Sequence, residues 1–141
     1  MKDAHGSGRN IRQEELPPEV TLVRGWSGHP YAMVQEIDSS FDAVAMIGYH
    51  GPASDPQNPL SHTYSGSWNH ITLNGSLCPE YWLYAHCAAL EGVPVVFVSG
   101  DAGICKPHDH CLESLWKTQP GIFFFGAPNP TNDRAYRRIR A

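Results

Sequence analysis

The apolar positions of the chain fall into short runs separated by turn chemistry. Two of these runs, Ala43-Val44-Ala45-Met46-Ile47 and Val93-Pro94-Val95-Val96-Phe97-Val98, are continuous rather than alternating. Such runs suit strands buried on both faces of a parallel sheet, with helices covering each side. The first leads into Gly48-Tyr49-His50-Gly51 and the second into Ser99-Gly100-Asp101. Pro94 belongs at the beginning of its strand, because proline removes a ladder donor. His50 and Asp101 are therefore expected at carboxyl ends of strands, the edge of an open α/β sheet where ligands bind. Asp101 can support a neighbouring site residue or form a turn, and the turn is the expectation.

Between these runs the pattern changes. Pro79 suits the first turn of a helix reaching about Glu91 and stopped by Gly92. Glu80 then lies in that first turn, where the backbone dipole favours a carboxylate. His70-Ile71-Thr72-Leu73, Asn74-Gly75 and Ser76-Leu77 predict a hairpin with a tight turn. Upstream, Val20-Thr21-Leu22-Val23 is β-prone, and Pro30 is expected to open a helix through Ile37 with Met33, Val34 and Ile37 on one face. The expected fold is α/β: a partial, mostly parallel sheet flanked by helices, with a hairpin-like insertion and an irregular C-terminal tail. The expected division is a domain over residues 1–106 and a poorly ordered tail over 107–141, broken by Pro120, Pro128 and Pro130 and ending in an arginine-rich stretch.

A length of 141 residues is enough for one domain with a core. A net charge of -4 and a pI near 6.0 give no electrostatic footprint for nucleic acid, so that class of partner is set aside. No apolar run approaches the ~20 residues needed to span a bilayer, and the first residues lack the apolar segment of a signal peptide. A cytoplasmic protein without a membrane partner is expected, with Cys78, Cys87, Cys105 and Cys111 as reduced thiols.

His50 and Glu80 carry the candidate chemistry, together with His62, delivered by a proline-rich loop over residues 52–59. Two imidazoles and a carboxylate are a sound zinc set. Zinc bound this way lowers the pKa of its water toward ~7. His62 on a loop beside such a site is a candidate general acid or base, since imidazole exchanges protons near neutrality. Each residue also has a plainer reading: packed or solvated imidazoles, and a Glu80 that only stabilises its helix. Asp3-Ala4-His5-Gly6 repeats the His-Gly ending of the first strand without an apolar run before it. Cys105, His108, His110 and Cys111 form a dense set of potential ligands that lacks a partner half.

Asp3-Ala4-His5-Gly6, Phe41 through His50, Ser61-His62-Thr63-Tyr64-Ser65-Gly66, Asn74-Gly75 with Glu80, and Gly92-Val93-Pro94-Val95-Val96 through Gly100-Asp101 occur in this order. Together they resemble the DppA-type D-aminopeptidase family of dinuclear zinc metallopeptidases, over about Lys2 to Lys106. The resemblance implies an α/β domain that holds two zinc ions and releases amino-terminal D-residues from short D-amino-acid-containing peptides by zinc-activated water. It implies His5 as a ligand of one zinc, His50 and Glu80 as ligands of the other, His62 as the catalytic histidine, and assembly into homo-oligomers. The family begins with a strand ending in Asp-x-Glu, whose aspartate bridges the metals. This chain is expected to start after that strand and to diverge beyond about Lys106. At most a partial zinc site is then expected, and the alternative function is that of a truncated, inactive relative acting as a weak metal-binding or interaction module.

Overall fold

The structure, a computed structural model, describes residues 1–105, 123–126 and 136–138. The chain divides into two compact units, Met1–Ile37 and Asp38–Ala141.

In the first unit the β-prone run makes only a single parallel bridge, between Val23 and Lys2. The Asp3 N–H donates to the Val23 carbonyl at 3.0 Å and the Val23 N–H to the Met1 carbonyl at 2.8 Å. The helix expected over residues 30–37 is replaced by one 3-10 turn, Ala32–Val34. Ala32 and Glu36 both take positive φ, 36° and 70°, and Gln35 is extended, so helical hydrogen bonding cannot propagate. Eight residues with three apolar positions on one face are too few to offset helix nucleation by themselves. Asp3 is buried, and its carboxylate accepts hydrogen bonds from the Asn10 N–H and side-chain amide and from the Ile11 N–H at 2.8 Å. Burial by itself would raise its pKa. These donors outweigh burial and hold the pKa below the usual carboxylate range. Asp3 is thus the organiser of the turn that carries His5.

The second unit contains the sheet. Strand β1 is Val44–Tyr49. The short strands β2, Thr72–Leu73, and β3, Ser76–Leu77, form the expected antiparallel hairpin, with Asn74 and Gly75 at φ 51° and 83° as a type I′ turn requires. Helix α1 is Glu80–Leu90, preceded by Pro79, and leads to strand β4, Val95–Gly100. A four-residue helix, α2, Ala102–Cys105, follows. Strand β5 is Phe123–Gly126 and strand β6 is Tyr136–Arg138. The sheet order is β1-β4-β5-β6, parallel except for the β5–β6 pair. Parallel pairing of β1 with β4 needs a crossover, which the segment containing α1 supplies.

The mostly parallel α/β fold and its hairpin agree with the sequence. The expected irregular tail does not hold for Phe123–Gly126 and Tyr136–Arg138, which add two strands to the sheet. The β-prone Phe123-Phe124-Phe125 run pairs in register with Phe97, Val98 and Ser99 of β4. The rest of residues 106–141, including the His108, His110 and Cys111 set, lies outside the described residues.

Burial on both faces is also corrected. Met46 is 2% exposed but its neighbour Ile47 is 67% exposed, and Val96 is exposed between buried Val95 and half-buried Phe97. Strands β1 and β4 therefore have one well-covered face. Tyr81, Trp82, Tyr84, Ala85 and Ala88 of α1 are buried, forming the core with Met46, Val93, Val95, Val98 and Ile104. At the carboxyl ends, β1 and β4 close so tightly that a Cβ on Gly100 would collide with the Tyr49 carbonyl oxygen and the Ile104 side chain. That approach sets the height at which His50 leaves the sheet. Among the described residues, no helix is long and apolar enough to cross a membrane.

Candidate metal centre

His50 follows β1 directly, at the sheet edge expected from the sequence. Its backbone is fixed from the neighbouring strand end: the Gly51 N–H donates to Asp101 Oδ2 at 3.0 Å, and the Asp101 N–H donates to the Tyr49 carbonyl at 3.1 Å. Asp101 Oδ1 also accepts the Ile104 N–H at 3.1 Å, which caps the start of α2. Asp101 is a turn former, as expected, and in addition it clamps the His50 segment. Burial alone would raise its pKa, but hydrogen bonds from Asn58, Gly51, Ile104 and Gly103 outweigh burial and lower it.

The loop after His50 folds back on itself. The Gln57 N–H donates to Asp55 Oδ1 at 3.0 Å and the Ser61 hydroxyl to the Asp55 carbonyl at 2.9 Å. This brings His62 over His50, with ring centroids 4.2 Å apart and planes inclined by 32°. Glu80 enters from the first turn of α1. It is only 3% exposed, and its Oε1 accepts the Tyr64 N–H at 2.7 Å. Its carboxylate lies 3.8 Å from His50 Nε2 and 3.9 Å from His62 Nε2.

The imidazoles are arranged alike. His50 Nδ1 lies 3.1 Å from the Gly51 carbonyl and His62 Nδ1 lies 2.9 Å from the Leu60 carbonyl. A carbonyl only accepts, so both neutral rings carry their proton on Nδ1 and present an Nε2 lone pair beside Glu80. This second hydrogen bond is how ligating histidines are usually oriented. The candidate ligand atoms of His50, His62 and Glu80 all lie within 4.8 Å of one another. Ligand atoms on a tetrahedral zinc with bonds of ~2.0–2.1 Å are roughly 3.3 Å apart. The set fits a zinc ion after a small inward closure of the side chains.

The buried negative charge also acts on its surroundings. Burial pushes the Tyr49 phenol far up, and the nearby Glu80 and then Tyr84 push it further. Tyr84 is raised first by burial and then by Glu80. Both phenols stay neutral at physiological pH.

Three of the four residues singled out in the sequence thus meet. His5 is exposed on its turn in the first unit. Sequence reasoning missed two supporting groups, Thr63 and the Tyr64 N–H, while support from Asp101 was one of the two readings its position allowed. Thr63 and Tyr64 are adjacent to His62 in the sequence, but no residue type or spacing marks a backbone N–H or a lone hydroxyl as a support.

A partly parallel α/β sheet with a His-His-Glu cluster at its carboxyl edge defines an α/β protein with a candidate metal centre. The sequence model of the D-aminopeptidase family matches residues 1–140, including the stretch beyond Lys106 that the sequence reading set apart, and the chain belongs to this family. The D-aminopeptidase of Bacillus subtilis (strain 168) is 30% identical over 115 residues, which cover 82% of this chain and 41% of that protein. In the solved structure of the Zn-dependent D-aminopeptidase DppA from Bacillus subtilis, described as a self-compartmentalizing protease, 42% of the chain superimposes on 89% of this one. The TM-score is 0.71 at 28% identity. The chain spans about two fifths of the length of these relatives.

Proposed function

We propose that the chain acts as a zinc-dependent aminopeptidase domain that releases amino-terminal D-residues from short peptides. The observation that carries this reading is the convergence of one ligand atom each from His50, His62 and Glu80 within 4.8 Å, with both Nε2 atoms within 3.9 Å of the Glu80 carboxylate. Family membership supports the reaction class, and the relative's description as Zn-dependent supports the metal.

In this reading His50 and Glu80 hold the ion, and zinc when bound supplies Lewis-acid activation of water. His50 is held by its Nδ1–H on the Gly51 carbonyl, and Glu80 by the Tyr64 N–H. His62 is the most solvent-accessible of the three, with a side chain 37% exposed. Its Nε2, a lone pair in the neutral ring, can take up a proton and pass it to the departing amine or to solvent, the work of a general acid or base. The role of His5 as a further ligand rests on the family resemblance alone. Assembly of several copies belongs to the same proposal, supported by the relative's description as self-compartmentalizing.

The test is zinc content of the purified chain together with hydrolysis of D-alanyl and L-alanyl dipeptides, with a His62→Ala control. Stoichiometric zinc and D-selective turnover abolished in the control are expected. No metal and no D-selective turnover would overturn the proposal. Zinc at a hundred times its Kd should raise the unfolding free energy by about 2.7 kcal/mol, reversibly with a chelator.

A further inference from the structure

Three short segments carry the clustered residues: the loop after β1, the loop holding His62, and the entry to α1. All three meet at one hydroxyl. Thr63 is fully buried, and its Oγ1 accepts the Ala53 N–H at 3.0 Å while donating to the Cys78 carbonyl at 3.0 Å. Ala53 lies three residues after His50, Thr63 directly follows His62, and Cys78 lies two residues before Glu80. Each of these offsets is short enough for a shift at the anchor to reach the functional side chain.

We propose that the Thr63 hydroxyl is the positioning residue of the His50–His62–Glu80 site, joining the three segments that bear it. This inference rests on the metal-site reading above for its functional meaning, but its geometry does not depend on bound zinc. A threonine suits the task because its β-branching restricts χ1 and its hydroxyl donates and accepts at once. The same residue sets the direction of the next peptide unit. Tyr64 takes φ 66°, a left-handed conformation costly for a non-glycine residue, and in it the Tyr64 N–H reaches Glu80 Oε1 at 2.7 Å. Anchoring Thr63 on two buried backbone groups is what holds this turn in place. Valine has nearly the same shape and can neither donate nor accept, whereas serine keeps the hydroxyl.

The experiment compares Thr63→Val and Thr63→Ser in the full chain, well below the melting temperature of either variant. Two readouts are needed. Cobalt(II) titration, followed by the d–d absorption bands, reports affinity and ligand geometry. Imidazole 15N resonances of the metal-free protein, assigned with His50→Gln and His62→Gln, report ring tautomer and order. Thr63→Val should weaken cobalt binding by about ten- to hundredfold, the range for removing a group that orients ligands. It should also alter the band pattern and disperse the His62 ring signals. Thr63→Ser should restore both readouts to within about threefold of the parent affinity. A Thr63→Val variant that melts earlier yet keeps the parent affinity, spectrum and imidazole signals would overturn the proposal, leaving Thr63 an ordinary packing residue. If the parent protein binds no cobalt, the metal reading fails. The imidazole signals then decide the positioning role by themselves: unchanged in Thr63→Val they refute it, and changed in Thr63→Val but recovered in Thr63→Ser they support it.

Discussion

The Tyr64 backbone N–H donates to Glu80 Oε1 at 2.7 Å, so the carboxylate facing both imidazoles is oriented by the residue two positions after His62. Loop and helix are thereby coupled through one charge-assisted hydrogen bond, stronger than a neutral one. Glu80→Gln preserves an acceptor for Tyr64 while removing the negative charge. It should keep the fold and lower zinc affinity by at least about a hundredfold, since loss of a supporting group alone costs 10–100-fold. Competition against a chromophoric chelator measures this, and unchanged affinity would remove Glu80 from the site.

His50 and His62 present the same tautomer but differ in exposure, with side chains 19% and 37% exposed. His50→Ala should lose the metal. His62→Ala should retain stoichiometric metal and lose roughly 10²–10⁴ in turnover of a D-alanyl peptide, the usual contribution of a general acid or base. Metal analysis beside steady-state kinetics separates the roles. Equal loss of metal in both variants would make His62 a ligand.

Asp101 links acid stability to the site. Its carboxyl is lowered from 3.8 in the folded chain, so as pH falls the unfolded chain binds the proton first. The stability it contributes is full above that ordinary value and is lost as pH falls through the lowered one. Asp101→Asn should be less stable than the parent near neutrality and show a shallower loss between about pH 5 and pH 2. Urea unfolding across that range is the measurement, and parallel curves for the two proteins would contradict the assignment.

Gly100 is where β1 and β4 meet most closely. A Cβ there would collide with the backbone oxygen of Tyr49, an atom that no rotamer change can move aside. Gly100→Ala should therefore destabilise the chain by at least about 1–3 kcal/mol, as overpacked sites do. The urea midpoint should fall, and metal affinity should fall with it because His50 is the next residue after Tyr49. A variant as stable as the parent would show that the strand ends separate without cost.

Some features were legible in the sequence because they depend on local chemistry. Asn74-Gly75 specifies a tight turn by its backbone preferences, Pro79 and Gly92 bracket α1, and the apolar run into His50 marks a strand with a polar group at its end. The ordered motifs around His5, His50, His62 and Glu80 were enough to indicate the family. Other features were not local. The run over residues 20–23 and the apolar spacing over 30–37 carry real propensity, yet they become a single bridge and a 3-10 turn, since short segments take the structure their surroundings reward. The exposed side of β1 likewise could not be read from a continuous apolar run, whose pattern is the same whichever face a helix covers. Sequence by itself determined which side chains could bind a metal and near which element ends they stand. Only tertiary structure decided that His50, His62 and Glu80 share one pocket, because Thr63, Asp101 and the Tyr64 N–H act through hydrogen bonds between segments far apart in the chain, and no periodicity encodes such bonds.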